Sequence, residues 1–270
     1  MKKYSFLTKI LSLATVLVLG LSLIAAGYAE DAPQDLLAEI QSRGKLLVGT
    51  EGTWAPYTFH DSDEKLVGFD VEVAQLIAEH LGVEVEYVET VWSSIFGALD
   101  GQQIDTVVNE VSFTEERAEK YDFSNPYTYT QRAILVKADN DEINSLEDIQ
   151  GKIASNDPTS TIGQFALDHG ATLDPVGEMA QSINEVLNGR ADLTVNTTVS
   201  FADYLKQQPD AESKVKIIVV TDPAPSGYIP VRKGETRLVD AINEALKQLQ
   251  DSGKLTELSI KYFDIDITKE

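Results

Sequence analysis

LDGQQIDTVVNEVS at residues 99–112 and LNGRADLTVNTTVS at residues 187–200 follow one plan. In each, an amphipathic stretch ends at a glycine (Gly101, Gly189) and an aspartate follows (Asp105, Asp192). A short β-branched run comes next, with an asparagine four residues past the aspartate (Asn109, Asn196). The pattern predicts a helix, a tight turn, a buried strand and a polar loop at the strand's carboxyl end. Two such units predict two lobes of similar build; chance likeness between unrelated βαβ units is the alternative.

The flanking sequence carries the same layering. Residues 45–49 read as a short apolar strand, and Phe69, Val73, Leu76, Ile77 and Leu81 fall on one face of a helix over 69–81. Residues 84–90 read as a strand and 92–99 as a short helix. Strands alternating with helices predict largely parallel sheets, whose ligands lie outside the carboxyl ends of the strands. The loops at 50–57, 109–117, 156–161 and 196–200 are therefore the functional candidates. Two β-rich stretches, 127–137 and 216–233, bracket the middle third and predict that the chain crosses to a second lobe and returns. Leu238, Ile242, Leu246 and Leu249, then a helix over 255–262, close the first lobe. The expected domains are 30–131 and 223–270 for lobe 1 and 132–222 for lobe 2, with two connecting strands as a hinge around a cleft.

Ser112-Phe113-Thr114-Glu115-Glu116-Arg117 reads as a strand end turning into a helix, Ser112 and Glu115 being spaced as a capping box. A cation in a first helical turn is unfavourable by roughly 0.3 to 1 kcal/mol. An anion offsets this, either an external carboxylate gripped bidentately by Arg117 or a neighbouring acid such as Glu116.

Lys2, Lys3 and Lys9 precede an apolar run over 10–26 that ends in Gly27-Tyr28-Ala29, the form of a cleaved signal peptide at 1–29. An uncleaved membrane anchor is the alternative, since the run approaches a spanning length. The chain has no cysteine, which excludes a thioether lipid anchor, a disulfide and a thiolate metal site. Removing 1–29 takes three lysines from 22 basic residues and none of the 44 acids, leaving 19 against 44, a net charge of −25. Such a surface repels nucleic acid and anionic lipid. With 43% hydrophobic residues the acidity belongs to a folded exported protein rather than a disordered tail.

Three segments in this order resemble the polar amino acid group among the extracellular solute-binding proteins of ABC importers. They are Gly49-Thr50-Glu51-Gly52-Thr53-Trp54-Ala55-Pro56-Tyr57-Thr58-Phe59, Val67-Gly68-Phe69-Asp70-Val71-Glu72-Val73-Ala74, and Ser112 to Arg117 running into Tyr121-Asp122-Phe123-Ser124-Asn125-Pro126-Tyr127. The resemblance covers 46–263 and looks most like the cystine-binding members. It implies an α/β, two-lobed periplasmic binding protein type II fold, with two sheets joined by two hinge strands. It also implies a monomer that delivers an amino acid, cystine among the candidates, to a membrane permease. Arg117 falls where the family clamps the ligand's α-carboxylate, and Trp54 where an aromatic packs on the ligand side chain. Asn109 and Ser112 would add polar contacts, and Thr159, Ser160 and Thr161 would complete the carboxylate site from the second lobe. Thr197 falls where the family usually has an aspartate for the ligand's ammonium. A threonine cannot neutralise a buried ammonium, so Glu110 or Glu51 takes that role or the ligand lacks the group. No nucleophile motif, metal-spaced cluster or glycine-rich phosphate loop is present, and no cofactor is expected. His60, His80 and His169 read as solvated or capping residues. A dehydratase-like enzyme using Glu110 and Arg117, and a surface adhesin or sensor domain, are the alternative readings.

Overall fold

The computed structural model describes residues 35–270, and the segment read as a signal peptide lies outside them. The chain folds into two α/β lobes. The first is built on a five-stranded sheet in the order Glu84–Glu89, Lys45–Thr50, Thr106–Val107, Pro230–Arg232, Tyr121–Phe123. Three of these strands are parallel, with Val48 opposite Tyr87 on one side and Thr106 on the other. The returning strand Pro230–Arg232 runs antiparallel to both of its neighbours. The second lobe pairs Ile153–Asn156 with Thr172–Pro175 in parallel. Its other strands, Thr194–Thr197 and Val215–Val219, run antiparallel on either side of Arg132–Lys137. The expectation of largely parallel sheets is thus corrected. Strands that carry the chain between lobes enter each sheet from the far end, and this reverses their direction.

Both copies form the helix, the glycine turn and the buried strand, but the polar loop read at 196–200 is corrected, since Thr197 caps the helix Thr198–Gln207 directly; the two aspartates do the same work. Asp105 accepts the backbone N–H of Leu47 at 2.8 Å, and Asp192 that of Ile153 at 2.8 Å. Each carboxylate pins the neighbouring parallel strand, so the strand's carboxyl end and following loop are held in register. The helix Phe69–Leu81 packs Phe69, Val73 and Ile77 against Leu238, Ile242, Leu255 and Leu258 of the two closing helices, Thr236–Asp251 and Lys254–Phe263. In the second lobe Ala133, Ile134, Leu135 and Val136 are all fully buried, because helices cover both faces of the strand that carries them. Each such large aliphatic side chain contributes roughly 1.5 to 3 kcal/mol by leaving water.

Two strands, Tyr129–Thr130 and Ala224–Pro225, pair antiparallel where the chain passes between lobes. The lobes also touch directly. Val199, from the second-lobe helix Thr198–Gln207, sits in the first-lobe core, and Lys206 of the same helix pairs with Asp264 at 2.8 Å.

Gly68 leads into the helix Phe69–Leu81 with φ of 137°, and a Cβ there would lie 2.1 Å from the carbonyl oxygen of Tyr57. That close approach lets Asp70 N–H reach the Tyr57 carbonyl at 3.0 Å. Gly68→Ala is therefore expected to destabilise the protein by on the order of 2 to 3 kcal/mol, read from the denaturant midpoint at unchanged slope.

Candidate functional site

A cavity of about 280 Å³ lies between the lobes, near the lower end of the size range of small-molecule sites. Its walls include the carboxyl ends of the strands Ile153–Asn156 and Thr194–Thr197 and the segments that follow Lys45–Thr50, Thr106–Val107 and Ile153–Asn156. The carboxyl ends of both lobes' strands thus converge on one space, as the strand order requires.

Seven of the ten residues singled out from sequence line it: Glu51, Trp54, Glu110, Ser112, Ser160, Thr161 and Thr197. Trp54 ends a two-residue strand, Thr53–Trp54, rather than standing in an open loop, and packs on Tyr57 with ring centroids 5.0 Å apart. Its indole Nε1 is buried without a partner. Thr161 Oγ1 donates to Ser112 Oγ at 3.1 Å, a bond that crosses from the second lobe to the first. Ser160 caps the helix Thr161–Asp168 by accepting the Gly163 N–H at 2.9 Å. Thr197 is likewise a cap, its hydroxyl accepting the Ser200 N–H at 3.2 Å, so it serves the helix Thr198–Gln207 while facing the cavity.

Asn109, Arg117 and Thr159 lie just off the cavity wall. Asn109 is fully buried and holds Glu51 in place: its Nδ2 donates to the Glu51 carboxylate at 2.7 Å, and its Oδ1 accepts the Glu51 N–H at 2.9 Å. Thr159 is exposed, and its carbonyl accepts from Trp92 Nε1 at 3.4 Å, a second contact between lobes. The capping box read at Ser112 and Glu115 is corrected. Thr114 is the N-cap, its hydroxyl accepting the Arg117 N–H at 3.1 Å, because the helix begins only at Glu115. Ser112 instead offers its carbonyl to Arg117 Nη1 at 2.9 Å. The guanidinium lies between Trp92 and Phe96, 5.2 and 5.0 Å from their ring centres. It is half-buried behind Ser112 and Trp92, and that burial lowers its pKa.

Sequence reading missed Arg132, Asp157 and Glu178, which also line the cavity. Arg132 stands at the mouth of an otherwise apolar strand, a placement that marks a basic residue aimed off the sheet's end. Its guanidinium lies 5.2 Å over the Phe165 ring and forms no ion pair among the described residues. The lining is consequently unbalanced, with Glu51, Glu110, Asp157 and Glu178 against Arg132 alone. Burial raises Glu51 to about 7, assisted by Asp157 and opposed by the Asn109 hydrogen bond. Burial also raises Glu110 to about 7 against the hydrogen bonds of Thr128 and Ser226 and the charge of Arg132.

Glu110 has a left-handed backbone, φ 47°, and both its carboxylate oxygens accept from Thr128 Oγ1, at 2.8 and 2.9 Å. Gly227 makes this possible, since a Cβ there would fall 2.5 Å from Glu110 Oε2. Among the described residues no group of His, Cys, Asp and Glu is arranged to hold a metal ion.

The raised carboxyls link stability to pH. Glu51 and Glu110 bind protons more tightly folded than unfolded, so their contribution is complete below about pH 4.5 and is lost as pH rises through about 7. Each accounts for on the order of 3 kcal/mol. Denaturant midpoints at about pH 5 and 8 are expected to show a smaller loss of stability in Glu110→Gln than in the parent chain.

Comparison with known proteins comes to the same fold. The family model described as bacterial extracellular solute-binding proteins, family 3, matches residues 46–265. The L-cystine-binding protein TcyA of Bacillus subtilis (strain 168) is 38% identical over 266 residues, covering 95% of this chain and 98% of that one. An ancestral arginine-binding protein bound to arginine superposes with a TM-score of 0.76 at 38% identity, covering 82% of this chain and 99% of its own. The L-cystine solute receptor of Neisseria gonorrhoeae, in its unliganded open conformation, gives 0.60 at 37% identity, covering 87% and 99%. The better superposition on the liganded structure agrees with the hydrogen bonds that join the lobes here.

Proposed function

The chain belongs to the bacterial extracellular solute-binding proteins, family 3, and from that membership we propose that it captures a free amino acid, cystine foremost, between its lobes. It passes the ligand to the membrane permease of an ABC transporter. The observation that carries this reading is the hydroxyl bridge from Thr161 to Ser112 across a cavity walled by both lobes. A ligand carboxylate seated there accepts from a hydroxyl of each lobe, and only the closed state offers both. The chain acts as a monomer exported by way of the segment 1–29. Its lobes are bounded at 131/132 and 222/223, beside the paired strands Tyr129–Thr130 and Ala224–Pro225.

Arg117 supplies the charge behind that carboxylate. Nη1 is engaged by the Ser112 carbonyl, which leaves the rest of the fork for the ligand. Trp54, packed at a tilt on Tyr57, forms the apolar wall for the ligand side chain. Asp157 and Glu178 make the cavity receptive to a second cationic group, in keeping with the double-headed cystine.

Calorimetric titration with the standard amino acids and cystine tests the reading; no heat from any of them defeats it. Arg117→Ala is expected to weaken binding by well over tenfold, about 1.4 kcal/mol or more. A smaller loss, with a larger one in Arg132→Ala, would move the clamp to the second lobe. Thr197→Asp keeps a good helix cap but adds an acid to a cavity already rich in them, and is expected to weaken binding rather than tighten it.

A further inference from the structure

Two carboxyl groups are buried together behind the cavity wall. Glu110, 6% exposed, faces the cavity, and Asp70, fully buried, lies behind it against the Glu110 backbone N–H. Tyr127 donates its hydroxyl to Asp70 Oδ1 at 2.8 Å, while Asp70 Oδ2 has no partner. Around Glu110 stand Thr128 and Ser226, whose hydroxyls lie 3.0 Å apart, and the phenols of Tyr57 and Tyr127. Arg132 is the cation that faces this group from the second lobe, and it makes no ion pair with either carboxyl. Left-handed backbone at a non-glycine residue costs on the order of 1 to 3 kcal/mol and persists only where its surroundings impose it. Here it turns a buried acid toward a ligand space.

An unpaired carboxylate in such a place is strongly disfavoured, and two neighbouring ones more so. Building on the amino acid reading, we propose that Glu110 is the counter-ion of the ligand's ammonium group and that capture expels a proton from it. In the empty cleft Glu110 is a neutral carboxyl in front of a protonated Asp70. On binding, the carboxyl O–H bond breaks and its proton passes to water. The ammonium keeps all its protons and donates N–H to the carboxylate that remains, so the pair it forms with Glu110 carries no net charge. Asp70 stays protonated throughout, held so first by burial and then by Glu110 itself. Because a neutral ligand of the same shape offers nothing to offset the carboxylate, the arrangement selects for cationic nitrogen.

The experiment is calorimetry of the chain with L-cystine and with L-arginine at about pH 6, in buffers of different ionisation enthalpy. The observed heat is expected to vary linearly with that enthalpy, with a slope near one proton released per ligand. Affinity is expected to tighten roughly tenfold between about pH 5 and 6. Glu110→Gln should bind more weakly with no slope, whereas Glu51→Gln and Asp70→Asn should keep it. A zero slope in the parent chain, a slope retained in Glu110→Gln, or a slope lost in Glu51→Gln or Asp70→Asn overturns the proposal. Binding heat without a proton slope defeats only the role of Glu110. Silence toward both ligands and every other amino acid defeats the amino acid reading beneath it.

Discussion

A carboxyl group shut away from water must be paired, hydrogen-bonded or neutral, and this constraint organises the space between the lobes. Glu51 meets it through Asn109, Glu110 through Thr128, and Asp70 through Tyr127. Each solution ties a loop of the first lobe to a neighbouring element, so the groups that make the cavity acidic also hold its walls. The second lobe follows a different rule. Two of its contributions, Ser160 and Thr197, are helix caps, and their positions are set by the helices they start.

Much of this is legible in the chain. The duplicated unit announces both lobes because an aspartate before a β-branched run is needed to receive a neighbouring strand's N–H, and Asp105 and Asp192 both do so. The helix over 69–81 is found residue for residue, since its apolar spacing and Gly82 mark both face and end. Strand direction is less legible. Hydrophobic pattern reports burial and not polarity, so the reversed strands Pro230–Arg232 and Arg132–Lys137 look like parallel ones until their partners are known.

The site divides the same way. Residues on loops at strand ends were found because the fold places such loops together. Arg132, Asp157 and Glu178 escaped notice because only the mutual placement of the lobes turns them inward. Arg117 shows the complementary limit. Its place in the first helical turn calls for compensation, and the indole and phenyl faces of Trp92 and Phe96 supply part of it, which spacing along the chain does not reveal.

Val199 carries a last consequence. It belongs to the second lobe by chain but to the first lobe by packing, and is 6% exposed there. Any swing that lifts its helix from the first lobe hands an isopropyl group back to solvent, at a cost of roughly 1.5 kcal/mol, about a tenfold bias between the two states. The valine acts as a detent: it sets a resting preference before any guest arrives, and part of the work of letting a guest go is done against it.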